Sequence, residues 1–83
     1  MLQQEIINHY GYEHQLQKLV EELRELEEVV LYHTYDESHL KEEMADVLNL
    51  IEQIAVYKDW QDDINNVKDY KITRQIDRIN RGE

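Results

Sequence analysis

The chain has no cysteine, no proline, no phenylalanine and only two glycines among its 83 residues. Without cysteine there are no disulfides, thiolate metal sites or cysteine nucleophiles, and a reducing compartment suits the chain. No stretch alternates apolar and polar residues between turns, so strands are excluded and helix is the remaining regular structure. No apolar run is long enough for a bilayer and the N-terminus carries no secretory pattern. A cytoplasmic protein without membrane contact is expected. Positive charge is also scarce, with nine Lys and Arg against 19 Asp and Glu, a net of −10. That balance argues against general affinity for nucleic acid, which needs a basic surface.

The charge that is present is unevenly placed. Residues 1–67 hold four basic and 16 acidic residues, a net of −12. Residues 68–83 hold Lys68, Lys71, Arg74, Arg78 and Arg81 against three acids, a net of +2. A basic tail beside an acidic body fits an anion held between them. It equally fits a C-terminal helix whose cations offset the body and suit the helix dipole.

Eighty-three residues make one small domain, here residues 1–83, and a domain of this size has little interior of its own. Such chains gain core by oligomerising. Gly11 is expected to separate a short N-terminal turn, Leu2 to about Tyr10, from a long helix over 13–32. In that helix Leu16, Leu19, Val20, Leu23, Leu26 and Val30 recur at spacings of three and four, as one buried face requires. A second helix is expected over 37–58, capped by Asp36 or Ser38, with Leu40, Met44, Val47, Leu48, Ile51, Ile54 and Ala55 as its apolar face. A third, over 61–80, carries Ile64, Val67, Ile72, Ile76 and Ile79. The expected fold is therefore all-α, with three main helices forming half of a helical bundle that oligomerisation completes.

Two acid-x-x-acid pairs stand out: Glu22 with Glu25, and Glu43 with Asp46. Residues three apart share a helix face, so each pair aims two carboxylates at one spot. Two such helices side by side gather four acids, whose repulsion calls for a cation or for protons. Carboxylate oxygens are hard ligands of the kind Mg²⁺ and Mn²⁺ take. On a helical wheel Glu43 falls inside the apolar arc between Leu50 and Ile54, and Asp46 at its edge. Glu22 falls between Leu26 and Val29, and Glu25 further round. An ionised carboxylate among Leu and Ile costs several kcal/mol unless paired (roughly, from transfer and mutational data). Glu27 falls in the middle of the apolar face, as a further ligand or facing a partner subunit.

The pattern Glu21-Glu22-x-x-Glu25 followed by Glu43-x-x-Asp46 resembles the metal-binding motif of the MazG-like, all-α nucleoside triphosphate pyrophosphohydrolases. Tyr10-Gly11, Gln15 and Lys18-Leu19-Val20-Glu21-Glu22 look like the approach to that family's first motif helix. Glu42-Glu43-Met44-Ala45-Asp46-Val47-Leu48 looks like its second. Tyr70-Lys71-Ile72-Thr73-Arg74-Gln75 is similar to the closing helix of small phage and bacterial members related to phosphoribosyl-ATP pyrophosphohydrolase. The resemblance covers residues 10–80. It implies a Mg²⁺-dependent enzyme, with Mn²⁺ as an alternative ion, that cleaves a (d)NTP between its α and β phosphates.

By position, the resemblance makes Glu22, Glu25, Glu43 and Asp46 the metal ligands. Glu21 is the general base it offers next in sequence, although its helical position points elsewhere. Lys71 and Arg74, with Arg78, would neutralise phosphate charge, or simply pair with the acidic body. Gln15, Lys18 and Asn49 are candidates for lining the nucleobase pocket. The family also implies a homodimer or homotetramer, with the pocket shared between subunits.

His9, His14, His33 and His39 lack the Glu-x-x-His and His-x-x-x-His spacings of transition-metal sites and read as surface residues. Trp60 reads as a packing anchor. There is no Gly-rich phosphate loop and no Ser or Thr nucleophile motif. The competing expectation is a non-catalytic acidic helical interaction module, or an inactive relative of the enzyme family.

Overall fold

A computed structural model describes residues 2–83 and contains four helices: α1 (Leu2–Tyr10), α2 (Tyr12–Tyr32), α3 (Glu37–Lys58) and α4 (Gln61–Asn80). Among the described residues there is no strand. The all-α expectation is met, and the bounds expected for α3 and α4 are the observed ones. The segment expected as a turn before Gly11 is instead a nine-residue helix. Tertiary contact supplies what its short sequence pattern does not. Ile7 is fully buried, and the Gln3 side chain bonds to α3 through Gln53, Asn49 and Glu52.

Gly11 ends one helix and starts the next. Its amide donates to the Ile7 carbonyl and its own carbonyl accepts from the Gln15 amide. Its φ of 98° lies in the left-handed half of backbone space, where a Cβ is strained and glycine is not. Asp36 settles the choice of cap for α3, since its side chain accepts from the His39 amide at 3.1 Å. Asp59 closes α3 in the left-handed conformation, and the Trp60 amide returns to the Ala55 carbonyl.

Helices α2 and α3 form an antiparallel hairpin, with α1 lying mainly against α3. The register is fixed near one end by Gln15, whose Nε2 donates to Gln53 Oε1 at 2.7 Å, and further along by Glu25 beside Glu43. Val29, Val47 and Leu50 fill the seam, with Ile7 and Ala55 completing the buried apolar set. Gln15 and Gln53 are buried too, and stay satisfied because Gln53 passes the chain of bonds on to Gln3.

The seam uses only part of the face that the α2 pattern indicated, with Leu16, Leu19 and Leu26 half-buried. The buried residues of α2 are Gln15, Glu22 and Val29, whereas Val20, Leu23 and Val30 are about half exposed. In α3, Met44, Leu48 and Ile51 are exposed in the same way. Glu27 lies in the exposed stripe of α2. Helix α4 touches only α3 and buries nothing, leaving Val67, Ile72, Ile76 and Ile79 more than half exposed. The result is an open arrangement of four helices measuring 47 × 35 × 19 Å. Its radius of gyration is 15.7 Å, against about 12 Å for a compact chain of this length.

Candidate metal centre

Antiparallel packing is what joins the two acid pairs. Helix α2 brings Glu22 and Glu25 to the seam and α3 brings Glu43 alongside. One carboxylate oxygen from each of these three residues lies within 4.8 Å of the others. Glu22 and Glu43 are each only 8% exposed, while Glu25 is open to solvent. Asp46 is exposed and stands outside this triad, although its charge still acts on Glu22.

The two buried acids are incompletely satisfied. Lys18 Nζ approaches Glu22 Oε1 at 3.5 Å, and His39 Nε2 approaches Glu43 Oε1 at 3.4 Å. The second oxygen of each, Glu22 Oε2 and Glu43 Oε2, is buried without a hydrogen-bond partner. An orphaned buried polar atom costs about 1–3 kcal/mol, more when charged. Burial raises the Glu22 carboxyl above its ordinary range. The adjacent Glu25 carboxyl group and the negative charge of Asp46 raise it further, and Lys18 partly opposes them. A divalent cation would offset that crowding of negative charge. Clustered carboxylates, two of which carry a buried unpartnered oxygen, fit a hard cation.

A pH dependence follows. Because Glu22 takes up its proton more readily folded than unfolded, its contribution to stability is complete below its ordinary value of 4.5 and is lost as pH rises through the raised folded value. The cation-free protein should therefore melt at higher temperature as pH falls from neutral toward that value. Glu22→Gln should flatten the slope, and saturating Mg²⁺ should raise the neutral-pH melting temperature most. Calorimetric melts across pH check all three.

Of the other residues marked in the sequence, Glu21 is exposed and pairs with Lys18 at 3.4 Å. Lys18 is thereby shared between Glu21 and Glu22. Gln15 is buried and bonded to Gln53, and Asn49 accepts from Gln3. Lys71, Arg74 and Arg78 ride on α4, where Arg74 lies over the Tyr70 ring at 5.7 Å. Among the described residues none of these three cations forms an ion pair. A cleft of about 400 Å³ lined by Tyr10, His14, Gln15, Gln17, Lys18 and Glu21 runs along α2 beside the triad. Tyr10 and His14 stack in it with centroids 5.3 Å apart. His39 and Gln53 were not marked by the sequence. The i, i+4 spacing of His39 to Glu43 is the signal that would have marked His39.

The gathered carboxylates on a helical hairpin form an acidic triad that could hold a divalent cation. The chain belongs to the MazG nucleotide pyrophosphohydrolase domain family, whose model matches residues 11–79. No curated protein and no solved structure matches it. The matched span takes in α2, α3 and nearly all of α4, and begins where α1 ends. No helix among the described residues is long and apolar enough to cross a membrane.

Proposed function

We propose that the protein is a Mg²⁺-dependent nucleoside triphosphate pyrophosphohydrolase, cleaving a (d)NTP to (d)NMP and pyrophosphate in control of the nucleotide pool. The observation that carries this reading is the carboxylate triad with two buried, unpartnered oxygens in a chain of the MazG family. When bound, Mg²⁺ neutralises triphosphate charge and makes the α-phosphorus more electrophilic; Mn²⁺ has the same oxygen preference.

Glu22, Glu25 and Glu43 hold the ion, with Asp46 as the fourth acid of the motif. Glu21 is assigned the proton of the attacking water, since its exposed carboxylate is outside the triad. The nucleoside end is assigned to the cleft along α2, where the Tyr10–His14 stack offers a flat face and Gln15 a buried amide. Asn49 is assigned a supporting place through Gln3 and Gln53.

Lys71, Arg74 and Arg78 are assigned to phosphate charge, and this assignment requires assembly. In one protomer α4 touches only α3. A homodimer or homotetramer supplies the missing half of the bundle, covers the exposed apolar stripes and brings a basic α4 to the acidic seam. The whole chain then acts as one domain of the assembly.

A panel of NTPs and dNTPs incubated with Mg²⁺ tests the proposal. Release of pyrophosphate with at least one of them is expected. Release of orthophosphate overturns the pyrophosphohydrolase reading, and no turnover with any nucleotide returns the protein to the non-catalytic one.

A further inference from the structure

Beside the triad lies a second cleft of about 360 Å³, lined by Glu25, Glu28, Val29, His33, His39 and Glu43. It shares Glu25 and Glu43 with the triad and adds two imidazoles. His39 is only half-exposed and stands one helical turn before Glu43, with Nε2 3.4 Å from Glu43 Oε1. Two ligand atoms each at about 2.0–2.2 Å from one tetrahedral ion stand roughly 3.4 Å apart. The other oxygen of Glu43, Oε2, is buried and unpartnered, in a residue only 8% exposed. Glu43 thus has one oxygen at the imidazole and one still to be satisfied.

We propose that His39 and Glu43 form a second cation position beside the carboxylate triad, one that takes a borderline transition metal such as Ni²⁺, Co²⁺ or Zn²⁺ in preference to Mg²⁺. Glu43 would belong to both positions. His33 and Glu28 line the same cleft, but among the described residues His39 gathers into no group of three within 4.8 Å, so water would supply the remaining ligands. The selectivity comes from donor chemistry. Mg²⁺ takes oxygen and parts reluctantly with water, whereas imidazole nitrogen suits the later first-row ions. The inference rests on the proposed role of Glu43 as a metal ligand.

Isothermal titration of the untagged full chain tests it, with Mg²⁺ alone and with Ni²⁺ in saturating Mg²⁺, for the wild type and His39→Gln. Glutamine keeps the backbone amide that Asp36 caps and removes the imidazole. His39→Gln is expected to weaken Ni²⁺ binding by about ten-fold or more while Mg²⁺ affinity stays the same. A Co²⁺ absorption spectrum that changes in the variant is the second expected readout. Equal Ni²⁺ affinity in both proteins overturns the proposal. So does a parallel loss of Mg²⁺ and Ni²⁺, which makes His39 a positioning residue for Glu43. Ni²⁺ binding that depends on His39, in a protein that binds no Mg²⁺, leaves the second position standing and removes the hydrolase reading instead.

Discussion

Glu22→Gln is expected to lower pyrophosphate release by at least about 100-fold and at the same time to stabilise the cation-free protein by about 1 kcal/mol. The two effects have one cause. Glu22 is buried, its Oε2 has no partner, and the negative charges of Glu25 and Asp46 act on it. An acid in that setting is a cost to the fold unless a cation or a proton is present. Glutamine removes the charge, keeps the volume and can donate to Glu25, so the apo fold gains. The same change removes a ligand, so Mg²⁺ no longer raises the melting temperature. Glu43→Gln should behave alike in activity. A protein in which these acids merely decorate an interaction surface would show the stabilisation without any loss of a cation response. Melting curves with and without Mg²⁺, beside a pyrophosphate assay, separate the cases.

The second large effect concerns assembly. Ile72 and Ile76 on α4 are more than half exposed, as are neighbouring apolar residues on the same helix. Full burial of an Ile contributes about 1.5–3 kcal/mol, so several such residues on α4 represent a large unrealised gain. Light scattering is expected to find the wild type oligomeric and the Ile72→Glu, Ile76→Glu variant monomeric. The two substitutions should also abolish the dependence of melting temperature on protein concentration. Turnover should fall by about 100-fold or more, because the proposed site borrows Lys71, Arg74 and Arg78 from another copy. A wild type that is monomeric and active contradicts this part of the account.

The contrast between pattern and packing explains what was legible in the residues. The limits of α3 could be read because the Asp36 cap and the apolar period agree, and those of α4 from its period, with no competing breaker inside either helix. Helix α1 could not, since its few apolar residues give little periodicity and its stability comes from docking Ile7 and Gln3 onto the hairpin. The apolar stripe of α2 reports every surface the helix buries, including any against a partner. Within one protomer the seam uses Gln15, Glu22 and Val29 instead. Glu43 was visible because it interrupts an apolar arc. Glu25 was named from its spacing to Glu22, although the wheel of one helix says nothing about the antiparallel neighbour that sets it beside Glu43. His39 read as a surface residue and is partly exposed, and its pairing with Glu43 lies at the i, i+4 spacing that the sequence reading did not weigh.

The most direct measurement is paramagnetic broadening of backbone amide signals as Mn²⁺ is added in substoichiometric amounts. Coordination by Glu22, Glu25 and Glu43 predicts that signals from the middle of α2 and the first half of α3 vanish first, while those of α1 and the start of α4 persist. Broadening that begins at Asp62 and Asp63, or spreads evenly over every acidic segment, would contradict it.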